Sequence, residues 1–360
     1  MRSAASRRHI HSHQTVRRAV HEIRERLHRQ EGSATGSSCR VSARHDAKAL
    51  VANALEPRLA RSNDVVFHDE RKLTNHEAAK LTGFVKRRLA GEPLAYIAGS
   101  REFWSMDFAV TPDTLIPRSD SEVLIETLVE QYEPQTPLRI LDIGTGSGCL
   151  LLAALSEFPR ATGVGIDVSP RALEVARGNA CTHNLDGRTA FVLRDLQTLP
   201  RLGKEDALVY QRFDVVLCNP PYIPRRELHL VGQDVLAYEP HLALFPDGGP
   251  LLDDTGVDPQ GLRMYEYLHQ SVANLFRNHS TETAVASDWD IKQSEMPAYR
   301  TTKSCLLMEI GSMNQAQAVR ELFASTADRC PQRARLDGSR LQFERFLFDA
   351  SGKCRGLHFA

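Results

Sequence analysis

The segment Asn219-Pro220-Pro221-Tyr222 places a side-chain amide, two prolines and an aromatic ring at consecutive positions. The two prolines stiffen the turn and remove two backbone N–H donors. The side-chain oxygen of Asn219 and the carbonyl oxygen of Pro220 can then both accept hydrogen bonds from one planar NH₂ group, and the ring of Tyr222 can stack on the flat group that carries it. This pattern predicts a site that orients an amide or amine nitrogen for group transfer. An ordinary Asn-Pro turn is the alternative.

An amide or exocyclic amine nitrogen is a poor nucleophile because its lone pair is delocalised. Two acceptors that polarise and orient the NH₂ group address this problem, so we expect no conventional catalytic base, and none is evident in the sequence. Asn219, Pro220 and Tyr222 are therefore the predicted catalytic residues, and Pro221 joins them as a predicted substrate-binding residue.

A glycine-rich segment, Gly144-Thr145-Gly146-Ser147-Gly148, stands between two apolar runs. Glycines let the backbone turn tightly and approach a ligand closely, and a helix that starts there offers free N–H groups. The spacing matches neither a P-loop nor the GxGxxG dinucleotide pattern. A nucleoside without a pyrophosphate fits better, so we predict S-adenosylmethionine as cofactor, with S-adenosylhomocysteine as product. A structural glycine turn is the alternative.

Further residues are predicted around this nucleoside. Asp167 ends the next apolar run, where a carboxylate can accept hydrogen bonds from both ribose hydroxyls. Asp142 either caps the loop or positions the amino-acid part of the ligand. Asp195 could accept a hydrogen bond from the adenine amine and Leu196 could line the adenine slot, although a surface carboxylate and plain core packing explain them equally simply. Asn219 also counts among the predicted cofactor contacts.

Strand and helix patterns alternate along the C-terminal part of the chain. The predicted strands are 138–143, 163–168, 190–193, 213–218 and 305–310, and the predicted helices are 149–155, 170–179, 261–276 and 315–323. This alternation predicts an α/β fold with a parallel, doubly wound, Rossmann-like sheet. Residues 340–348 and 355–359 are predicted to add a β-hairpin.

In the N-terminal part of the chain, apolar residues instead recur with the spacing of amphipathic helices. Val16, Ile23 and Leu27 fall on one helical face, residues 46–55 read as a second helix, and Thr74 with Glu77 forms a capping-box pattern that opens a third. The predicted domains are a targeting segment at 1–14, a small α-helical domain at 15–95, a linker with a β-hairpin at 96–117 and an α/β domain at 118–360, with insertions at 246–257 and 278–303.

Charge is balanced overall but distributed unevenly. The 360 residues include 45 Lys+Arg and 45 Asp+Glu, yet residues 1–95 hold 19 basic and 10 acidic side chains. The first twenty residues contain five arginines and no acid, which is typical of a mitochondrial transit peptide. A basic terminus without an address is the alternative and would leave the protein in the cytoplasm. The balanced total argues against a chain that coats nucleic acid, and no apolar run approaches the ~18 residues of a membrane span.

The cysteines favour a reducing compartment. There are seven, and no CxxC pair occurs, so a disulfide framework or a zinc site is not expected. We therefore expect no metal. From the apolar runs and the charge balance, we expect no membrane contact and no direct nucleic-acid binding. We also expect a monomer.

The sequence resembles the HemK/PrmC family of release-factor glutamine methyltransferases. The motifs that carry the resemblance lie at 92–97, 101–104, 115–118, 142–149, 165–167, 219–223, 238–240, 242–245 and 309–311. The Asn-Pro-Pro-Tyr element is shared with adenine-N6 methyltransferases, whereas the segments around 92–118 and 238–245 are more specific to this family. The chain departs from the family pattern in the loss of a second proline after Arg118, in the two insertions, and in Asn314-Gln315-Ala316, where Gln-Gly-Glu is usual.

The resemblance implies methyl transfer from S-adenosylmethionine to the side-chain amide nitrogen (N5) of the glutamine in the Gly-Gly-Gln motif of a class I peptide chain release factor, in support of translation termination. It implies that residues 144–148, Asp167 and Leu196 contact the cofactor and that residues 219–222 hold the glutamine amide. It also implies that Phe103 and Arg118 lie near the cleft that joins the domains and bind substrate, and that the N-terminal helices help to grip the release factor. The alternatives are adenine-N6 methylation of nucleic acid, lysine methylation and a non-catalytic scaffold.

Overall fold

The computed structural model of the chain describes residues 10–31, 38–203, 206–208, 213–246, 258–276, 304–329 and 341–360. Most of the two predicted insertions and residues 1–9 of the predicted targeting segment lie outside these ranges. The described chain divides into two compact units between Ser100 and Arg101. The predicted linker at 96–117 is thereby shared between the two units.

The N-terminal unit is helical. Its elements are α1 (Val16–Glu31), α2 (Ser38–Ala54), a 3₁₀ helix (Ser62–His68), α3 (Asn75–Leu89) and α4 (Leu94–Ala98). The predicted capping box is confirmed, because the Thr74 hydroxyl accepts a hydrogen bond from the Glu77 N–H and the Glu77 carboxylate accepts one from the Thr74 N–H. The second helix starts eight residues earlier than predicted, at Ser38. Leu50, Leu81 and their neighbours form a separate apolar core for this unit.

A short hairpin leads into the second unit. Strands β1 (Ser100–Phe103) and β2 (Met106–Ala109) pair with each other, and Trp104 and Ser105 adopt positive φ in the turn between them. Phe103 and Phe108 turn inward and pack edge to face, with ring centroids 6.3 Å apart.

The second unit alternates helices and strands. Its elements are α5 (Glu122–Gln131), β3 (Arg139–Ile143), α6 (Cys149–Glu157), β4 (Thr162–Asp167), α7 (Pro170–Thr182), β5 (Thr189–Leu193), β6 (Val215–Cys218), α8 (Gln233–Tyr238), α9 (Arg263–Leu275), β7 (Cys305–Glu309), α10 (Met313–Arg329), β8 (Phe343–Phe348) and β9 (Cys354–Phe359). Strand β6 is two residues shorter than predicted, since Phe213 instead forms an isolated bridge with Phe276, and Asp214 accepts a hydrogen bond from the N–H of Arg139 through its carboxylate at 2.7 Å.

Within the described residues, the sheet has seven strands in the order β5-β4-β3-β6-β7-β9-β8. Strands β3 to β7 are parallel, and β9 and β8 close the edge in antiparallel pairing. The predicted doubly wound sheet is confirmed. The strand order reverses between β3 and β6, where Ile143 lies opposite Cys218. The crevice beyond the carboxyl ends of such strands is where open α/β sheets bind ligands.

Helices cover both faces of the sheet. Ile140 and Leu217 face the core that α5 and α6 complete, whereas Leu141 and Val216 face the core that α9 and α10 complete. Each fully buried aliphatic side chain contributes roughly 1.5–3 kcal/mol. Because both faces of the sheet are buried, the ends of the strands are held rigidly. The loops that follow these ends are thereby held in place.

Within the described ranges, no helix combines the length and the apolar character needed to cross a bilayer. The cysteines whose side chains are described, Cys149, Cys181, Cys218, Cys305 and Cys354, are free thiols.

Candidate active site at the carboxyl ends of the parallel strands

The glycine loop, residues 144–148, joins β3 to α6. Gly144 and Gly148 have φ of +75° and +82°, a region that L side chains rarely adopt. The N–H groups of Gly144 and Thr145 both donate to the carbonyl oxygen of Ile166 at 2.9 Å, so the loop bends across the end of β4. A Cβ on Gly148 would lie 3.3 Å from Ala176 and Leu152. The loop therefore has the tight shape that the sequence predicted.

Asp167 ends β4 beside this loop. Its Oδ2 accepts a hydrogen bond from the N–H of Gly146 and its Oδ1 accepts one from the N–H of Ser169, both at 2.9 Å. Each carboxylate oxygen keeps a second acceptor site, so two further hydroxyl donors can bind. Burial raises the pKa of Asp167, and the backbone donors partly offset that effect.

Asp142 lies beneath the loop, with 1% of its surface exposed. Its Oδ2 accepts a hydrogen bond from the Thr145 hydroxyl at 2.7 Å. Neither its Oδ1 nor the hydroxyl of Ser147 makes a hydrogen bond of standard geometry with the described residues, although the N–H of Leu151 weakly lowers the pKa of Asp142. Burial raises the pKa of Asp142 to about 7. A buried acceptor without a strong partner requires an explanation, and the binding of a ligand with a donor group would supply one.

These residues fit S-adenosylmethionine. The loop admits a close ligand, Asp167 offers two acceptor sites suited to a ribose, and Asp142 supplies a buried acceptor for a positively charged group. This set of hydrogen-bond acceptors therefore matches a nucleoside that carries cationic groups.

Asp195 and Leu196 lie at the end of β5. Asp195 Oδ1 accepts a hydrogen bond from the N–H of Gln197 at 2.9 Å and caps the 3₁₀ helix that follows. Leu196 is half-buried and packs against the core on the α9 face. Sequence reasoning missed Val168 and Leu193, which are 49% and 57% exposed at the ends of β4 and β5. Exposed apolar side chains beside Asp167 are suited to cover a flat base.

Asn179 on α7 braces the glycine loop from outside. Its Nδ2 donates to the carbonyl oxygens of Ser147 at 2.8 Å and Ala109 at 3.1 Å. Its Oδ1 accepts a hydrogen bond from the N–H of Ala109 at 2.8 Å. One buried amide thus joins the loop to strand β2.

The Asn-Pro-Pro-Tyr turn, residues 219–222, follows β6 and touches the glycine loop. A Cβ on Gly144 would lie 3.6 Å from the carbonyl oxygen of Asn219. Pro220 is buried and Pro221 is half-buried. The amide nitrogen of Asn219 donates to Glu309 Oε2 at 2.7 Å, and the Tyr222 hydroxyl donates to Glu309 Oε1 at 3.1 Å. The turn is therefore tied to the end of β7.

Glu309 is a site residue that sequence reasoning missed. It ends the fully buried strand β7, is 3% exposed and also accepts a hydrogen bond from the Ser121 hydroxyl. Burial raises its pKa, while the hydroxyls of Ser121 and Tyr222 oppose that rise. In the sequence it was one residue of a family motif, because nothing local indicates that β7 lies beside β6. The Asn-Pro-Pro-Tyr turn is thus hydrogen-bonded to a carboxylate that the sequence did not predict there.

Gln315 holds the far end of the turn. Its Nε2 donates to the carbonyl oxygens of Tyr222 at 3.0 Å and Gln260 at 2.9 Å, and its Oε1 accepts from the N–H of Gly311 at 3.0 Å. Gly261 has a φ of +67°, and a Cβ there would lie 2.2 Å from the Tyr222 carbonyl oxygen. The region that departs from the family pattern still supplies a glutamine to the site.

A cavity of about 450 Å³ opens beside the turn. Asn219, Tyr222, Glu309, Arg118 and Leu230 are among its lining residues. Arg118 donates to Glu239 at 2.6 Å, and Glu239 also accepts a hydrogen bond from the N–H of Ile116 at 3.0 Å. The two family-specific segments therefore meet at the cavity wall, where Arg118 was predicted to contact substrate.

The prediction that Phe103 binds substrate needs correction. Phe103 is 1% exposed, belongs to the core on the α6 face and packs against Phe108. It faces inward because alternate residues of β1 point to opposite sides. Its role is packing.

Among the residues that the structure describes, no group of three or more His, Cys, Asp or Glu side chains is placed to hold a metal ion.

The strand order, the antiparallel edge hairpin and the glycine loop after β3 define the class I fold of S-adenosylmethionine-dependent methyltransferases. Comparison with known families agrees. Residues 135–326 match the family described as methyltransferase domain, and residues 29–99 match the PrmC N-terminal domain.

Curated relatives specify the family. The release factor glutamine methyltransferase of Nitratidesulfovibrio vulgaris is 33% identical over 288 residues, which are 75% of this chain and 89% of that protein. That of Bradyrhizobium diazoefficiens is 44% identical over 182 residues, or 50% of this chain and 58% of that protein. The match to the latter thus spans less than two thirds of the relative. The chain belongs to the family of release factor glutamine methyltransferases.

A solved protein-(glutamine-N5) methyltransferase (release factor-specific) from Alicyclobacillus acidocaldarius matches with 20% identity and a TM-score of 0.34, covering 70% of this chain and 98% of that one.

Proposed function

We propose that the chain transfers the methyl group of S-adenosylmethionine to the side-chain amide nitrogen of the glutamine in the Gly-Gly-Gln motif of a class I peptide release factor. One observation carries the proposal. The glycine loop after β3 and Asn219 after β6 are neighbours at the point where the strand order reverses. A methyl donor on the loop and an amide on the turn would therefore meet. Membership of the family supports the choice of substrate.

When bound, the cofactor supplies a methyl carbon whose bond to sulfur breaks, with its electron pair left on sulfur, as the new bond to nitrogen forms. The side-chain oxygen of Asn219 and the carbonyl oxygen of Pro220 accept the two N–H bonds of the glutamine amide. Their positions orient the nitrogen lone pair toward the glycine loop. One amide proton leaves to solvent after transfer. Orientation of this kind supplies much of the rate when the nucleophile is weak.

The cofactor contacts are proposed from the geometry around the loop. Asp167 binds the ribose hydroxyls, and the free oxygen of Asp142 accepts from the cationic amino-acid part. Val168 and Leu193 cover the base, together with the predicted contacts Asp195 and Leu196. Thr145 and Ser147 complete the set within the loop.

The broader setting is proposed from the family resemblance and from composition. The N-terminal helices grip the release factor, and the protein acts as a monomer without binding nucleic acid directly. A mitochondrial destination rests on the five arginines and the lack of acids among the first twenty residues. The relatives are bacterial, so the cytoplasm is the competing location.

The test is methylation of purified class I release factors, mitochondrial and cytosolic, with isotope-labelled cofactor. Mass spectrometry of the Gly-Gly-Gln peptide should show the mass of one added methylene group. A release factor with that glutamine changed to alanine is the matched control and should gain no label. Label that enters DNA or lysine side chains, with none on the glutamine, would overturn the proposal in favour of the adenine or lysine alternative. Failure of the purified chain to bind the cofactor would indicate that the protein is a non-catalytic scaffold.

A further inference from the structure

The orientation of one side-chain amide decides what the Asn219 site can bind. An asparagine side chain ends in an acceptor oxygen on one side and a donor NH₂ group on the other. A half-turn about its last bond exchanges the two. A substrate NH₂ group requires the oxygen, because two donors cannot pair. Some neighbouring group must therefore select one orientation.

Glu309 is the neighbour that makes this selection. It accepts hydrogen bonds from the Asn219 amide nitrogen at 2.7 Å, from the Tyr222 hydroxyl at 3.1 Å and from the Ser121 hydroxyl. An ionised carboxylate only accepts hydrogen bonds. Asn219 can therefore pair with it solely through its NH₂ group, which leaves the amide oxygen for an incoming donor.

We propose that Glu309 is a positioning residue whose carboxylate locks the Asn219 amide with its oxygen available to the acceptor nitrogen and holds the Tyr222 ring beside it. The inference rests on the proposed function insofar as the acceptor is an NH₂ group. The locking itself is a property of the protein alone, so it can be tested without any substrate.

The surroundings of Glu309 set the condition under which the lock works. Asp120 and Arg355 form an ion pair at 2.8 Å and act on Glu309 with opposite signs. Tyr265 donates to the Glu309 main-chain oxygen at 2.7 Å, and Cys218 lies at the end of the neighbouring strand. The Arg118 charge acts on Tyr222. Burial affects the pKa of Glu309 more than any of these neighbouring groups does.

This environment predicts a pH dependence with a definite sign. Burial raises the pKa of Glu309, so its proton returns at a higher pH than for an ordinary carboxyl group. A protonated Glu309 has an O–H to donate and can pair with the Asn219 oxygen instead. The rate of methyl transfer should therefore fall as the pH falls through that pKa, at saturating cofactor and substrate.

The central experiment compares Glu309→Gln and Glu309→Ala with Asp214→Asn as the matched control. Asp214 is also buried and also ends in a hydrogen-bonded carboxylate, but it lies at the opposite end of β6. A glutamine at 309 can still accept from Asn219 in one of its two orientations, whereas alanine cannot. We expect kcat to fall by about 100-fold in the alanine variant, as misplacement near a reacting atom does, and by less in the glutamine variant. The control should keep the wild-type kcat.

Two further readouts separate positioning from a loss of folding. The affinity for S-adenosylhomocysteine should stay within twofold of wild type in all three variants. Glu309→Gln should also melt no lower than wild type, because it removes a buried charge, and should lose the acidic limb of the pH profile. A loss of kcat that tracks a loss of melting temperature, or an unchanged kcat in both variants, would overturn the proposal.

Nitrogen-15 NMR of asparagine-labelled protein tests the lock without activity. The side-chain NH₂ signal of Asn219, assigned by its absence in Asn219→Ala, should show slow hydrogen exchange in wild type and fast exchange in Glu309→Ala. Equal exchange in both would refute the lock even if methyl transfer is active. Slow exchange in a protein that methylates no release factor would instead refute the proposed function and leave the lock standing.

Discussion

The proposed cofactor side and the proposed acceptor side of the site are built in opposite ways. The cofactor side, comprising Asp142, the glycine loop and Asp167, comes from two consecutive strand–loop–helix units. It leaves a buried oxygen of Asp142 without a partner in the described structure. The acceptor side, comprising the Asn-Pro-Pro-Tyr turn, Glu309 and Gln315, comes from segments far apart in sequence, and its polar groups hold one another.

On the cofactor side a ligand would complete the hydrogen bonding of the buried polar groups, whereas on the acceptor side the protein itself completes it. A site with unpaired buried acceptors gains a partner when its ligand binds, so its stability should depend on the ligand. A site whose groups are already paired holds its geometry before the substrate arrives, which favours rapid orientation of a weak nucleophile. Each variant below tests one side of that division.

The largest effect is expected for Asn219→Ala, which removes the main acceptor on the acceptor side. Methyl transfer should fall by about 10²–10³-fold, comparable to loss of one preorganised hydrogen-bonding group in other active sites. Cofactor affinity measured by calorimetry should stay unchanged, since the glycine loop keeps its own hydrogen bonds. A parallel loss of cofactor affinity would show that the two sides do not act separately.

Asp167→Ala should act on the other side. It removes two acceptor sites for ribose and frees the N–H groups of Gly146 and Ser169. Hydrogen bonds to charged groups contribute about 1.5–3 kcal/mol, so cofactor affinity should fall by roughly 10- to 100-fold. Rates at saturating cofactor should recover most of the wild-type value. A kcat that stays low at saturating cofactor would show that Asp167 also affects the transfer step, and would contradict the separation of the two sides.

Gly261→Ala should damage the acceptor side through its shape. The added Cβ would meet the Tyr222 carbonyl oxygen at 2.2 Å, and the backbone there has positive φ. Overpacking of this kind costs about 1–3 kcal/mol. We expect a lower melting temperature and a higher KM for the release factor. Gly178→Ala, where a Cβ meets nothing within 4 Å, is the matched control and should behave as wild type.

The smallest effect on methyl transfer concerns Asp142, whose change is read out as the pH dependence of stability. Burial raises the pKa of Asp142 to about 7 in the folded chain, whereas the pKa of an aspartate in the unfolded chain is about 3.9. Between those values the folded chain holds a proton that the unfolded chain has lost. The free energy of unfolding without cofactor should therefore fall as the pH rises from about 4 to about 7.

Denaturant titrations across that pH range provide the measurement. Asp142→Asn should flatten the pH dependence, while Asp234→Asn, a change at an exposed carboxylate, should leave it as in wild type. Saturating cofactor should restore stability near neutral pH, because the unpaired oxygen gains a cationic partner. A wild-type profile that rises toward neutral pH would contradict the assignment of Asp142 as a strained, ligand-completed group.

The two sides also differ in how far the sequence predicts them. The glycine loop, Asp142 and Asp167 follow predicted strands directly, so local pattern places them together. The Asn-Pro-Pro-Tyr turn is equally local. Glu309 joins it only because β7 lies beside β6 in the sheet, and the order of strands cannot be deduced from the alternation of strand and helix alone.

Other differences have local physical causes. Phe103 was assigned to the substrate through a family motif, but the pleat of β1 directs it into the core. Asp195 uses one oxygen to cap a 3₁₀ helix, a role that a short side chain before a turn often takes. The exposed Val168 follows Asp167, which lies opposite Leu193 where β4 pairs with β5, and this pairing is not evident from the sequence alone.

Asn179 gives the glycine loop a second connection, to the backbone of Ala109 in β2. Coupling between two sites is reciprocal in free energy. If cofactor binding favours the ordered hairpin by a given free energy, the ordered hairpin favours cofactor binding by the same free energy, so a hairpin loosened by mutation weakens cofactor binding. The amide hydrogen of Ala109, which is bonded to Asn179, should therefore exchange with deuterated solvent more slowly when cofactor is bound and so serve as a remote reporter of occupancy.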